Sequence, residues 1–156
     1  MYYASALLSW SLQNASTKIS IASRINMTME NTLSTRQLLD RYYSGFARKE
    51  GWEATISDDF IFRGGDMNNR QPAIGKMAYI EVIKRFSRAF SSMRVKQMMV
   101  DGDEACVIGN YDFVFPNGES INGDVAEIWE AKDGQLTALT IYFDTLTFDR
   151  NTPRPA

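Results

Sequence analysis

Histidine is absent from the 156-residue chain, and cysteine occurs once, at Cys106. The first absence removes the commonest general base and metal ligand, and with it the Ser-His-Asp and Cys-His arrangements. The second excludes an intrachain disulfide framework and any multi-cysteine metal site. An excess of either charge is lacking too. The net charge is -2, so no global field attracts nucleic acid, although a local basic patch stays open. No apolar run is long enough to span a bilayer. The glycines, Gly64-Gly65 among them, form no phosphate-binding pattern. Acid–base work therefore falls to Asp, Glu, Tyr, Lys or water. No cofactor and no metal ligand set is expected.

What is present is core material. Hydrophobic residues make up 44% of the chain and aromatics 12%, enough for one substantial domain. Residues 1–31 differ from the rest. They carry Lys18 and Arg24 but no acidic residue before Glu30, and they are rich in Ser, Thr, Asn and Ala. They read as a loose extension, or as a start set upstream of Met27 or Met29. The alternative is an organelle-type targeting segment. A cytoplasmic location is expected otherwise. The domain itself is expected over residues 32–148, with 149–156 as a flexible tail.

Ser34 and Gln37 have capping-box spacing, and a helix is expected to about Lys49, with Leu39, Tyr42, Tyr43 and Phe46 on one side. A short second helix over Trp52 to Ser57 leads into a strand, Phe60 to Arg63. Residues 64–72 read as a loop. Met77, Ile80, Ile83 and Phe90 recur at helical spacing, so a third helix is expected over Lys76 to Ser91. Strands follow: Arg94 to Val100, Ala105 to Phe115, and a long hairpin from Ile121 to Phe148 that turns at Lys132-Asp133-Gly134. Asn117-Gly118 is a strong hairpin signal. Helices first and antiparallel strands after argue for an α+β fold with helices on one face of a curved sheet.

Three stretches carry a resemblance: Ile74-Gly75-Lys76 ahead of the third helix, Trp129 to Leu136 as W-x-x-x-D-G-x-L, and Tyr142-Phe143-Asp144 near the end. Over about residues 33–148 the chain resembles the nuclear transport factor 2-like superfamily, and within it the SnoaL-like group. That resemblance implies a cone-shaped, curved, mainly antiparallel (mixed) sheet wrapped around three N-terminal helices, with a cavity between them. It also implies dimers through the outer face of the sheet. The superfamily includes polyketide cyclases, ketosteroid isomerase, limonene epoxide hydrolase, dehydratases and non-catalytic binding modules.

Strand alternation offers two faces and does not choose between them. Registering the strands on the family places Asn110, Asp112, Val125, Glu127 and Trp129 in the cavity, with Leu139, Ile141 and Phe143. Tyr111, Phe113 and Phe115 then face outward, a stripe that suggests a partner subunit. Phe62 and Arg63 stand at the mouth, where Arg63 either meets an anionic ligand or is solvated. Asp112 among apolar neighbours is expected to have a raised pKa and to act as acid or base; a polar strand end is the plain alternative. Glu127 is unfavourable in mid-strand, so it either faces the cavity as a neutral donor or lies on a solvated face. A two-residue turn at Asn117-Gly118 puts Asp112 opposite Gly123, which leaves Glu127 roughly 13 Å further along. The two then share a ligand but not a proton, with Asn110 as a hydrogen-bond partner between them.

The resemblance also assigns roles. Tyr42 matches the oxyanion-hole tyrosine of ketosteroid isomerase by helix position, with core packing as its plain alternative. Glu127 aligns with the acid that completes that hole. The isomerase base position falls near Gly64, and Asp66 is the nearest substitute. Of the Asp-Arg-Asp triad of limonene epoxide hydrolase and its supporting Tyr and Asn only Asp112 matches; Asn110 and Ile141 stand at the other two triad positions, and Phe62 and Gly64 at the supporting ones. Asp144 reads as structural. The expected function is binding of a small apolar organic ligand. If the protein is an enzyme, it is a cofactor-free isomerase, cyclase or dehydratase. The alternatives are a non-catalytic ligand-binding or dimerisation module and, third, hydrolysis by water that Asp112 activates.

Overall fold

Ser34 starts the first helix. Its hydroxyl accepts from the Gln37 amide, and the Gln37 side chain accepts from the Ser34 amide, which closes the capping box. The computed structural model describes residues 33–64 and 71–151. Helix α1 (Thr35–Arg48) buries Leu38, Leu39, Tyr42, Tyr43 and Phe46 on one stripe, the spacing a core-facing helix needs. A 3-10 turn, Trp52–Thr55, doubles back against it. Gly45 permits the approach, because a Cβ there would lie 2.7 Å from the Trp52 backbone nitrogen.

The chain continues through β1 (Ile56–Arg63), β2 (Ala73–Ile74), α2 (Lys76–Phe86), β3 (Phe90–Asp101), β4 (Glu104–Val114), β5 (Ser120–Lys132), β6 (Gln135–Tyr142) and α3 (Thr145–Asn151). The sheet order is β2-β1-β6-β5-β4-β3. Only β1 and β6 run parallel. The described residues thus form an α+β fold, three helices and a curved, open, mixed sheet of six strands.

Two helices differ from the sequence reading. Helix α2 stops at Phe86 rather than Ser91, because the residues from Phe90 pair with β4, beginning at Phe90 opposite Phe113. Its inner stripe is Tyr79, Val82, Ile83 and Phe86, while Met77 is 67% exposed. The segment after Phe148 is helical to Asn151. Asp144 initiates that helix by accepting from the Thr147 amide at 3.1 Å and the Thr147 hydroxyl at 2.7 Å, a structural role as expected. Phe148 then packs edge-on against Phe113, Phe115 and Phe143.

The turns decide which side chains face inward. The β4–β5 loop holds three residues, Pro116-Asn117-Gly118. Phe115 and Glu119 close it, with Gly118 donating back to the Phe115 carbonyl at 2.9 Å and sitting at φ +87. That is a type I turn followed by a left-handed glycine. Asp112 therefore pairs with Asn122, and Tyr111 with Gly123. A slip of one residue reverses every side chain of a strand relative to its partner. The β5–β6 turn has two residues, Asp133 and Gly134, both at positive φ. Alone it would reverse β6, but a bulge after Glu130 shifts the pairing again, so Leu139 faces Trp129 and Ile141 faces Glu127.

Candidate active site

A cavity of about 210 Å³ lies between the helices and the concave face of the sheet. Phe62, Val125, Leu139, Ile141 and Phe143 line it, as does Tyr42. All six are candidates named from the sequence. The lining is apolar apart from Tyr42, Tyr79, Tyr111 and Glu127. Arg63 is exposed at the end of β1.

Glu127 is the one carboxyl group among the cavity's lining residues. It is 4% exposed. Tyr111 donates its hydroxyl to Oε1 at 2.6 Å, and Tyr43 donates to Oε2. The Trp129 indole N–H in turn donates to the Tyr43 oxygen at 2.9 Å. Gly109 makes room for this group, since a Cβ there would lie 2.8 Å from the Tyr111 ring and 3.2 Å from Glu127 Oε1. Burial pushes the Glu127 carboxyl above its ordinary range. The hydrogen bonds from Tyr111, Tyr43 and Trp129 pull it part of the way back. Tyr43 and Tyr111 thus hold both oxygens of a carboxyl group whose neutral form burial favours.

A second polar pair stands in the same wall. The hydroxyls of Tyr42 and Tyr79 lie 2.6 Å apart. One donates and the other accepts. The accepting hydroxyl keeps a proton for which no other partner exists among the described residues. A buried hydroxyl proton without an acceptor costs free energy, and a ligand oxygen in the cavity would satisfy it. Burial raises both phenols well above their ordinary range, so both remain protonated donors.

The other expected polar residues are elsewhere. Asp112 is on the outer face of the sheet, held by Ser92 at 2.5 Å, Asn122 at 2.6 Å and Arg94 at 3.0 Å. Those hydrogen bonds lower its carboxyl to about 2, the opposite of the raised value expected. Asn110 is buried but on that same outer face, bonded to Asn122 and Asp124, and so is no ligand partner within the cavity. Trp129 is core and acts through Tyr43. Asp66 lies outside the described residues. The three-residue turn is the physical reason for the two reversals: it brings Tyr111, Phe113 and Phe115 inward to 4–7% exposure and turns Asp112 and Asn110 out. With Asp112 outside, neither proton abstraction nor water activation by that residue has a geometry within the cavity.

Sequence reasoning missed Tyr43, Tyr79 and Tyr111 as site residues. Tyr79 had a legible signal, since positions 79, 82, 83 and 86 are the better helical stripe. Pro116 before Asn117-Gly118 was the signal for Tyr111, because proline suits the first central position of a type I turn.

A curved mixed sheet closed over helices around an apolar cavity is the architecture of nuclear transport factor 2-like proteins. Residues 39–139 match the SnoaL-like domain family, and the chain belongs to it. Among solved structures it is similar to a nuclear transport factor 2-like protein of unknown function from Burkholderia pseudomallei, with 20% identity, 76% of this chain and 97% of that one covered, and a TM-score of 0.66. A candidate SnoaL-like polyketide cyclase from Jannaschia sp. is 18% identical over 76% of this chain and 90% of its own, with a TM-score of 0.63. A candidate isomerase from Rhodopseudomonas palustris is 19% identical over 75% and 96%, with a TM-score of 0.62. At these identities the likeness is one of fold. No curated protein matches the chain.

Proposed function

We propose that the protein binds a small, mostly apolar carbonyl compound in the cavity and moves a proton on it without a cofactor. The observation that carries this reading is one buried carboxylate beside a phenol pair that has a proton to spare, in a wall otherwise apolar. Glu127 takes a proton from the carbon next to the carbonyl. The electron pair moves onto the carbonyl oxygen, and the Tyr42–Tyr79 pair donates to the oxyanion that develops. Return of the proton to another carbon completes an isomerisation. Attack of the enolate on a second carbonyl, whose oxygen takes the proton back from Glu127, completes an aldol-type cyclisation, and loss of a β-hydroxyl with that proton as water completes a dehydration. Asp112 has no part in it. The candidate cyclase and isomerase among the similar structures support the reaction class by analogy of fold.

The test is hydrogen–deuterium exchange. A panel of cyclic enones and aryl ketones is incubated with the protein in D₂O and followed by NMR. Exchange next to the carbonyl is expected for at least one compound that binds, with the Asp112→Asn variant as active as the parent. Compounds that occupy the cavity yet exchange no faster than in buffer would leave a binding module without catalysis.

A second reading concerns association. We infer that two copies meet through the outer face of the sheet. Met99, Ile128 and Tyr142 are 49%, 39% and 59% exposed there. They sit close together, since Cys106 pairs with both Met99 and Ile128, and Ala126 pairs with Tyr142. Contiguous apolar surface of this kind favours a partner. In a two-fold contact each residue meets the same patch of its copy, so Ile128→Arg places like charges together. Light scattering should give twice the 17.7 kDa chain mass for the parent and the single mass for Ile128→Arg. A parent of single-chain mass would refute the contact.

A further inference from the structure

A second groove, of about 410 Å³, adjoins the cavity and shares Val82 and Phe86 with it as a common wall. Phe115, Pro116 and Phe148 supply its apolar surface, and Arg85 and Arg88 line it too. Both arginines are exposed. They flank the end of α2, where Ser87 N–H donates to the Ile83 carbonyl at 2.7 Å and Ala89 N–H to the Phe86 carbonyl at 2.8 Å. The backbone that carries them is thus fixed. Neither guanidinium has an ion-pair partner among the described residues. Arg85 donates to the Glu81 carbonyl oxygen at 3.3 Å, while the Glu81 carboxylate is engaged by Lys84 at 2.7 Å and feels Arg85 only as a lesser field.

Size and charge together restrict what the cavity takes. At about 210 Å³ it is smaller than the 300–1,000 Å³ or so of ordinary ligand sites. A ligand of common size must extend beyond it. No cation lines the cavity among the described residues, and Glu127, once ionised, would repel an anion there. A charged ligand must therefore leave its charge outside, and the groove next door presents two cations beside apolar surface. The chain's own first 31 residues do not complement that charge, since they carry Lys18 and Arg24 against Glu30.

We propose that the ligand is an amphipathic anion, an apolar ring system bearing a carboxylate or sulfonate, with the ring in the cavity and the anion at Arg85 and Arg88. This rests on the cavity being the ligand site, as proposed above. Guanidinium groups suit a planar two-oxygen anion because their N–H groups form a matching fork. Phe86 lies between the two ends of such a ligand and packs on its middle.

The test uses two probes with the same apolar body, anilinonaphthalene sulfonate and neutral phenylnaphthylamine, titrated by fluorescence against the full chain. The sulfonate should bind more tightly than the amine, and excess amine should displace it. In Arg85→Gln/Arg88→Gln the sulfonate should weaken about tenfold, as loss of charge-assisted contacts at a partly solvated site implies. The amine should bind as before, and an unchanged thermal melting curve controls for folding. Equal binding of the sulfonate by parent and double variant, with the amine still bound, overturns this proposal and leaves the cavity reading intact. Failure of both probes to bind the parent overturns the two together.

Discussion

Trp129→Ala is expected to destabilise the protein by about 3–5 kcal/mol, the cost of removing a large aromatic side chain from a core. Trp129 has no exposed surface. Its ring centroid is 4.7 Å from that of Tyr42, 6.1 Å from Tyr43 and 6.2 Å from Phe60, so one indole joins α1 to β1 and β5. Its N–H also fixes Tyr43. Domain stabilities are about 5–15 kcal/mol, so the change removes roughly a fifth or more of the total. Tm should fall by roughly 10–20 °C. Trp129→Phe keeps one six-membered ring and loses the donor to Tyr43 with the rest of the indole, so its cost should lie between that of the hydrogen bond, about 1–2 kcal/mol, and that of Trp129→Ala. Urea unfolding monitored by circular dichroism measures both variants. A loss below about 1 kcal/mol for Trp129→Ala would mean the core is not centred on this residue.

The same residues show what the sequence makes legible. The fold class rested on signals that act over short distances: the Ser34 cap, the helical stripe of α1, and a tight turn expected over Lys132-Asp133-Gly134, which the structure makes with two residues, Asp133 and Gly134. Each is set by local chemistry, and each appears in the structure. The inner face of β5 came from the resemblance, because Val125, Glu127 and Trp129 alternate with Asp124, Ala126, Ile128 and Glu130, and neither set is clearly the more apolar. β4 was no clearer. Ile108 and Val114 on one face are as apolar as Tyr111 and Phe113 on the other, so pattern could not orient it. Orientation then hung on whether one loop held two residues or three, and Asn117-Gly118 fits both. The Glu127 cluster was hidden for a related reason. Tyr43, Tyr79 and Tyr111 come from three elements, and only packing brings their hydroxyls to one wall. A tyrosine in a core stripe looks the same whether its hydroxyl meets a carboxylate or a solvent-filled gap.

Glu127→Gln is expected to lower the rate of proton exchange by about 10²–10⁴-fold, the usual worth of a general base, and also to change how stability depends on pH. The shift in the Glu127 carboxyl sets the sign. Its value in the folded protein is raised above the ordinary 4.5. Below about 4.5 the group is neutral in the folded and unfolded chain alike, and its favourable contribution is whole. As pH rises, the unfolded chain ionises first, so stability falls until the raised folded value is passed and then levels. Glutamine does not ionise, so the variant should be flat through that window. Asp112 works in the other direction. Its carboxyl is lowered from 3.8 to about 2, so its contribution is present above about 3.8 and is lost as pH falls through 2. The two limbs occupy separate pH ranges, and Asp112→Asn should flatten only the acid one. Activity carries a further constraint, because a base must be ionised to accept a proton. The exchange rate should therefore rise with pH over the same window in which stability falls, both reporting one titration. Denaturation series at several pH values, set beside the pH–rate profile, test this. A rate that inflects where stability does not would assign the base to another group. A shared inflection that disappears in Glu127→Gln would fix it on this carboxyl, whose burial weakens the fold in the pH range where the base is active.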